Sequence, residues 1–264
     1  MVLKAPNFIT ECSTSDFKRL NVIVIGCGGT GSEIASMLFK MHATMKALGS
    51  AGLNVTLIDD DVVSPSNIGR QSFWDVDISQ PKASTLVDRF NNFGGTNWKA
   101  LVRKFEGGNL SNTVVFGCVD NAIGRKLIHQ SFIKSENSVW IDCGNDNSSA
   151  NVFMGVNAAI GKTKVYVPTV YDLFQAQLDA PQPTQEPSCS TREAIARQDF
   201  GINAATANHA VQLLWQLYRH GQVAYHGVTL DLKSGESFPI AADPEIWAQF
   251  GYETKPKRTR KKAA

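Results

Sequence analysis

Four glycines within six residues, in the segment GCGGTG at positions 26–31, carry the clearest chemical signal of the sequence. Gly26, Gly28 and Gly31 have the G-x-G-x-x-G spacing that joins a strand to a helix and binds nucleotide phosphates. Glycine lets the backbone approach a ligand closely, and the free N–H groups at a helix start favour an anion. The loop therefore predicts a phosphate site, although its pattern alone fits NAD, FAD or ATP.

Residues of both charge signs follow the next predicted strand, 54–58. That strand ends in three carboxylates, and an acidic residue there, Asp59, can accept hydrogen bonds from ribose hydroxyls. A nicotinamide enzyme would normally continue into a helix, whereas this chain continues into a polar stretch that offers arginine and lysine, the side chains suited to phosphate oxygens. Both signs of charge beside one glycine loop favour a triphosphate with its metal over a dinucleotide. The candidate nucleotide ligands are Asp59, Asp61, Ser66, Asn67, Arg70 and Lys82.

A third polar group, Asp120 and Asn121, lies at the end of the predicted strand at 113–119. Ligands collect at the carboxyl edge of such sheets, and a carboxylate there can hold Mg²⁺ together with phosphates and water. Taken singly, each charged residue is most simply a surface ion pair worth about 0–1 kcal/mol. Because these residues follow successive strands of one sheet, we favour one shared site with Asp120 as the metal ligand.

Alternating strand and helix patterns position these residues. Apolar, β-branched runs predict buried parallel strands, and a right-handed crossover makes the first two of them parallel. The predicted strands lie at 21–25, 54–58, 113–119, 138–144 and 151–156, the predicted helices at 33–48, 81–93, 122–134 and 202–219, and a hairpin at 224–240. The alternation predicts a doubly wound, Rossmann-like α/β fold with a mostly parallel sheet and a smaller C-terminal β/loop addition.

The composition excludes several classes of protein. The chain has 264 residues, of which 43% are hydrophobic and 19% charged, so collagen-like, coiled-coil and wholly disordered classes do not apply. No apolar run approaches the ~18 residues of a membrane span, and the first residues, MVLKAPNFITEC, lack the apolar core of a secretory signal. We therefore expect a cytoplasmic protein with no membrane partner.

The charge distribution and the cysteine spacing limit which binding partners and structural sites the chain can have. Six cations lie within residues 255–262, and without them the formal net charge falls from +2 to −4, so a globally basic nucleic-acid binder is not indicated. The basic tail could contact nucleic acid or an acidic partner by charge alone, or be a solvated end. The five cysteines include no C-x-x-C pair, which argues against a disulfide framework and a zinc site.

Together, these motifs resemble the signature of the ThiF/MoeB/E1-like activating enzymes over about residues 20–160. The segment 186–203 is similar to the members of that family in the bacterial PRTRC gene system. The matching motifs are GCGGTGS, DDDVVSPSNIGRQ, Gln80-Pro81-Lys82, and Val119-Asp120-Asn121 with Arg125.

The resemblance implies a role for each matched residue. By this likeness, Gly29 lines the phosphates, Asp59 binds the ribose, Asn67 and Arg70 contact the phosphates, Lys82 stabilises charge at the reacting phosphorus, and Asp120 binds Mg²⁺. The implied reaction is the ATP-dependent adenylation of the C-terminal carboxylate of a ubiquitin-like β-grasp protein, with release of pyrophosphate. The implied assembly is a homodimer.

The chain departs from the family pattern in three respects. The two C-x-x-C pairs of many relatives are absent, only about twenty residues precede the first strand, and the helix after the glycine loop is followed by an extra turn, SAGLN. Cys189 lies in a proline-rich stretch that resembles the crossover loop where E1 enzymes keep a thioester-forming cysteine. A thiolate there could attack the acyl-adenylate, and the alternative is an incidental exposed thiol.

Several alternatives remain open at the level of sequence. The chain could activate a small-molecule or tRNA-borne carboxylate, act as a nucleotide-binding adaptor without catalysis, or be an NAD-dependent oxidoreductase, which Arg70 and Lys82 disfavour. The predicted organisation is an N-terminal segment at 1–20, an ATP-binding adenylation core at 21–160, a crossover loop or lid at 161–200, a C-terminal helix and hairpin of the same domain at 201–252, and a disordered basic tail at 253–264.

Overall fold

A central mixed sheet with helices on both faces organises the chain in a computed structural model that describes residues 2–181 and 198–253. The strands are β1 (Leu3–Lys4), β2 (Leu20–Ile25), β3 (Leu53–Ile58), β4 (Lys99–Leu101), β5 (Thr113–Gly117), β6 (Ser138–Asn145), β7 (Ser149–Ile160), β8 (Thr163–Val167), β9 (Gln222–Val223), β10 (Tyr225–Asp231) and β11 (Glu236–Ala241). The helices are α1 (Asn7–Ser13), α2 (Gly29–Ala47), α3 (Lys82–Gly94), α4 (Ala122–Lys134), α5 (Val170–Leu173), α6 (Gln175–Asp179), α7 (Ile202–His220) and α8 (Pro244–Gln249), with 3-10 turns at Pro65–Asn67 and Asp75–Asp77.

The sheet divides into a parallel and an antiparallel half. Its order is β11-β10-β7-β6-β5-β2-β3-β4, with β8 also paired to β7. The strands from β6 to β4 are parallel to one another, and β7, β8, β10 and β11 are joined by antiparallel pairs. The doubly wound α/β fold is therefore confirmed. The predicted C-terminal hairpin is present, and it extends the same sheet through β7.

Two apolar layers cover the sheet. One layer packs α2, α3 and α7 against one face, through side chains such as Leu38, Leu86 and Leu214. The other packs Ile128 and Phe132 of α4 against the opposite face. Every residue of β5 is buried, as expected of a central parallel strand with helices on both sides. The carboxyl ends of β2, β3, β5 and β6 therefore meet at one edge of the sheet.

The structure contains elements that the periodicity did not predict. In the N-terminal segment, α1 buries Phe8, Ile9 and Cys12. The described part of the crossing at 161–200 contains β8, α5 and α6, because β8 pairs with β7 and the Thr169 hydroxyl accepts the first-turn N–H of Asp172. Cys189 and the basic residues from 255 onwards lie outside the described residues. No helix of the described residues has the length and hydropathy needed to cross a bilayer.

A buried histidine joins the antiparallel half to α8. His226 on β10 is 0% exposed, and its Nε2 accepts a hydrogen bond from Trp247 Nε1–H at 2.9 Å. Its Nδ1–H donates to the Met154 carbonyl at 3.1 Å, so the ring is held in its neutral form. Burial lowers the pKa of His226 to about 4.

This depressed pKa predicts an acid-dependent loss of stability. The unfolded histidine binds a proton below about pH 6.5, whereas the folded ring stays neutral down to about pH 4. The free energy of unfolding should therefore fall as pH drops through this window. In urea titrations followed by tryptophan fluorescence, His226→Gln should flatten that dependence, while the same change at exposed His220 should leave it unchanged. An equally steep pH dependence in His226→Gln would contradict this account.

Candidate functional site

The glycine loop forms a tight turn from β2 into α2. Gly26 has φ +91°, a conformation that favours glycine, and a Cβ on Gly26 would lie 2.6 Å from the Cys118 carbonyl oxygen. A Cβ on Gly31 would lie 1.9 Å from the carbonyl oxygen of Gly26. Backbone atoms are the obstacles in both cases, so the chain can make this turn only with glycine at these two positions. The predicted strand–loop–helix unit is confirmed.

The start of α2 is open to a ligand. No side chain caps the helix, which begins after Gly28, and a Cβ on Gly28 would meet no atom within 4 Å. The N–H groups of a first helical turn lack intrahelical acceptors, so together with the helix dipole they form a site suited to an anion. Gly29 differs from Gly28, because a Cβ there would lie 2.5 Å from the side chain of Asn203.

Asp59 braces the glycine loop. Its Oδ2 accepts the backbone N–H of Cys27 at 2.5 Å, and its Oδ1 accepts that of Asp61 at 2.8 Å. Burial raises the pKa of Asp59, while the two backbone N–H groups and the Lys82 charge oppose that rise. Each carboxylate oxygen can accept a further hydrogen bond, so a contact of Asp59 with ribose stays a prediction.

Lys82 brings a buried cation to the same edge. It is the first residue of α3, and its backbone N–H donates to the Asp61 carbonyl at 3.0 Å. Its Nζ forms an ion pair with Asp61 Oδ2 at 2.8 Å, and the lysine side chain is 7% exposed while that of Asp61 is 66% exposed. The ammonium group thus lies within the protein, and its one ion-pair partner in the described residues is exposed to solvent.

Arg70 is a second cation, and neutral acceptors hold it. Its Nε donates to the Ser66 carbonyl at 3.0 Å and its Nη1 donates to Gln198 Oε1 at 3.3 Å. Among residues 2–181 and 198–253, it forms no ion pair with a carboxylate, and burial lowers its pKa. The preceding turn is fixed because Asn67 Oδ1 accepts the Ser64 N–H at 2.9 Å. Within the described part of the chain, the charge of Arg70 is therefore uncompensated, which suits an anionic ligand.

Asp120 and Asn121 lie just beyond β5. Asn121 Oδ1 caps α4 by accepting the Gly124 N–H at 2.8 Å, and its Nδ2 donates to Asp120 Oδ1 at 3.0 Å. Both side chains are exposed. The described part of the chain contains no group of three or more His, Cys, Asp or Glu residues that could hold a metal. Asp120 therefore fits Mg²⁺ only in the manner usual for nucleotide sites, where one or two carboxylates act with phosphates and water.

Three cysteines of the described residues are poor nucleophiles. Burial raises the pKa of the Cys27 thiol well above its usual value. The pKa of the Cys118 thiol is also raised well above its usual value, first by a hydrogen bond with the Cys143 thiol and second by burial. Burial likewise raises the pKa of Cys12. A thiol attacks as its thiolate, so these three thiols are poorly suited to covalent chemistry, and the predicted nucleophile Cys189 lies outside the described residues.

Sequence reasoning missed several residues at this edge. Arg125, which the resemblance included without a role, forms a buried ion pair with Asp142 at 3.1 Å. Asn203 at the start of α7 lies against Gly29 of the glycine loop. Its side chain forms hydrogen bonds with those of Thr30, Asn145 and Gln198. Thr30, Gln198 and Asn203 lie in segments that the resemblance included, but isolated amide and hydroxyl side chains have no spacing along the chain that predicts their mutual contacts.

The likeness to solved structures establishes the fold. A crystal structure of E. coli MccB with ATP matches with a TM-score of 0.58 and 14% identity, over 89% of this chain and 66% of MccB. A structure of PaaA matches with a TM-score of 0.53 and 15% identity, over 89% of this chain and 66% of PaaA. The chain thus spans about two thirds of the length of either protein.

Sequence comparison identifies the family. A stretch of 67 residues is 36% identical to the ATP-dependent ubiquitin transferase-like protein Cap2 of Pseudomonas aeruginosa, strain BWHPSA011 / Pa011. The matched stretch covers 25% of this chain and 11% of Cap2. The family model described as the ThiF family matches residues 3–245. Because that match covers nearly the whole chain, this protein belongs to the ThiF family.

Proposed function

We propose that this protein is an E1-like enzyme that uses ATP and Mg²⁺ to adenylate a carboxylate. The observation that carries the proposal is the position of the buried cation Lys82 and the half-buried cation Arg70 at the sheet edge that also presents the open first turn of α2. Backbone N–H groups and cations at one edge of a sheet suit a triphosphate. The fold that the chain shares with MccB, which has been solved with ATP, agrees with this proposal.

The reaction needs positioning more than acid–base chemistry. An oxygen of the substrate carboxylate attacks the α-phosphorus, the bond from that phosphorus to the bridging oxygen breaks, and pyrophosphate leaves with the electron pair. A carboxylate is already a nucleophile at neutral pH, so no general base is required. The chain must hold the two reactants in line and offset the negative charge that develops in the transition state.

Each residue of the site has a part in this scheme. The first turn of α2 and Arg70 hold the phosphates, with Ser66, Asn67 and Asn121 supporting the surrounding turns. Lys82 leaves Asp61 and offsets charge at the reacting phosphorus. Asp59 keeps the glycine loop in place and receives the ribose. Mg²⁺, held by Asp120 and the phosphates, would neutralise charge on the pyrophosphate leaving group.

For the substrate, we favour the C-terminal carboxylate of a ubiquitin-like β-grasp protein, and we propose a homodimer as the assembly. The name of Cap2 as a ubiquitin transferase-like protein supports this choice. MccB has been solved with MccA, so an adenylating fold of this kind also accepts a different partner. ATP–pyrophosphate exchange that requires a glycine-ended β-grasp protein supports the proposal. Exchange driven by a small acid or tRNA instead, or ATP binding without exchange, would contradict it.

Replacing Lys82 should abolish most of the exchange. Lys82→Ala removes the buried ammonium group, and the loss of one preorganised charge-stabilising group lowers a rate by about 10²–10³-fold. The matched control is Lys104→Ala, because Lys104 is 77% exposed and lies 3.9 Å from Asp60. Exchange at near wild-type rate in Lys82→Ala would show that the assignment is wrong.

Replacing Asp120 should change the dependence on metal. Asp120→Asn removes the charge that we assign to Mg²⁺, so the Mg²⁺ concentration for half-maximal exchange should rise several-fold while the melting temperature stays constant. Asp88→Asn, an exposed change on α3, serves as the control. An unaltered Mg²⁺ titration in Asp120→Asn would remove this residue from the site.

Cys189 can be tested separately from adenylation. We propose that its thiolate attacks the acyl-adenylate, forms a thioester with the activated carboxylate and releases AMP. Cys189→Ser should leave pyrophosphate exchange unchanged and eliminate a thiol-sensitive conjugate on denaturing gels, whereas Cys12→Ser should retain that conjugate. Persistence of the conjugate in Cys189→Ser would exclude this cysteine as the nucleophile.

A further inference from the structure

Asn203 forms a fully satisfied, buried hub beside the glycine loop. It is the second residue of α7 and is 8% exposed. Its Oδ1 accepts hydrogen bonds from the Thr30 hydroxyl at 3.1 Å and from Asn145 Nδ2 at 2.8 Å. Its Nδ2 donates to the Arg70 carbonyl at 3.1 Å and to Gln198 Oε1 at 3.3 Å. The amide therefore uses both acceptor positions and both donor hydrogens.

These partners fix the orientation of the amide. Thr30 and Asn145 donate hydrogen bonds to the amide oxygen of Asn203. The Arg70 carbonyl oxygen and Gln198 Oε1 accept hydrogen bonds from its amide nitrogen. Rotating the amide by 180° would therefore place donors against donors and acceptors against acceptors. A further bond joins Asn145 Nδ2 to the Thr30 hydroxyl at 3.1 Å. Buried polar networks of this kind hold one arrangement when every member is satisfied.

The hub joins four segments that are distant along the chain. Thr30 lies in the first turn of α2, Asn145 ends β6, and the Arg70 carbonyl belongs to the polar stretch after β3. Gly29 permits this junction, since a Cβ there would lie 2.5 Å from Asn203. The anion-binding helix start and the backbone of Arg70 thus share one side chain as their common support.

The hub also reaches the guanidinium group. Gln198 Oε1 accepts from both Asn203 Nδ2 and Arg70 Nη1, at 3.3 Å in each case. Neutral oxygens of Ser66 and Gln198 therefore hold Arg70. A carboxylate in their place would neutralise the charge that a phosphate requires, because charge-assisted bonds are the stronger ones.

We propose that Asn203 is a positioning residue, which fixes the guanidinium of Arg70 relative to the glycine loop so that both contact the same phosphate chain. The inference rests on the proposed function, because it assumes that Arg70 binds the phosphates of ATP. Asn203 itself touches no substrate. Its neutral amide supports the arginine without compensating the arginine's charge.

The test is a comparison of ATP and adenosine binding to Asn203→Asp by calorimetry. The aspartate keeps the shape of the side chain, loses both donor hydrogens and adds a negative charge near Arg70. Affinity for ATP should fall by about ten-fold or more, the factor expected for one charge-assisted contact, while affinity for adenosine stays within about two-fold. The control is Asn208→Asp, the same change at an exposed position of α7.

A double-mutant cycle separates positioning from general damage. If Asn203 acts through Arg70, then Asn203→Ala, which removes the amide without adding a charge, should cause no further loss of ATP affinity in an Arg70→Ala background. Equal losses for ATP and adenosine, or full additivity with Arg70→Ala, would overturn the proposal. Gln198→Ala provides a second route if Asn203→Asp does not fold, and it should also weaken ATP binding selectively.

The outcomes distinguish this inference from the function on which it rests. A wild-type chain that binds no ATP contradicts both. Wild-type binding that survives unchanged in Asn203→Asp and Gln198→Ala contradicts the positioning role alone. A loss of affinity for ATP but not for adenosine supports the role of Asn203 if Asn208→Asp does not cause it and if it disappears in the Arg70→Ala background.

Discussion

The tight turn between β2 and α2 determines where the first turn of α2 and the groups around it can lie. A Cβ on Gly31 would lie 1.9 Å from the Gly26 carbonyl oxygen, so only glycine lets the helix begin at this edge of the sheet. Asp59 supports the turn from β3 through the Cys27 N–H, and Asn203 supports it from α7. Because neighbouring elements secure the loop from both sides, its N–H groups are positioned before a ligand arrives.

Two cations are arranged around that turn in different ways. Lys82 has a solvated carboxylate partner in Asp61, whereas neutral oxygens of Ser66 and Gln198 hold Arg70. Lys82 can exchange its exposed partner Asp61 for a phosphate. The neutral partners of Arg70 among the described residues leave the charge of the arginine uncompensated. Both arrangements favour a polyanion, because burial strengthens the attraction of each cation for phosphate oxygens. These electrostatics support the proposed phosphate site on grounds that do not depend on any resemblance.

Much of this edge was predictable because local signals specify it. The strand–glycine–helix pattern, Asp59 after β3 and Asn121 at the start of α4 all depend on neighbours in sequence. The hub around Asn203 was not predictable, since its hydrogen bonds to Asn145, Arg70 and Thr30 join residues 58, 133 and 173 positions apart. The strand β8 was missed for a different reason. Its residues TKVYV favour a strand and pair with β7, but the proline-rich composition of the longer segment around them indicated a loop.

We propose that the triphosphate of ATP lies at the first turn of α2, between Arg70 and Lys82. A crystal structure of the full chain with a non-hydrolysable ATP analogue and Mg²⁺ would reveal whether it does. We predict that the phosphates accept hydrogen bonds from the glycine-loop backbone, with the guanidinium of Arg70 and the ammonium of Lys82 turned toward them. A nucleotide bound elsewhere, with Lys82 still paired to Asp61 and Arg70 still held by Ser66 and Gln198, would contradict it.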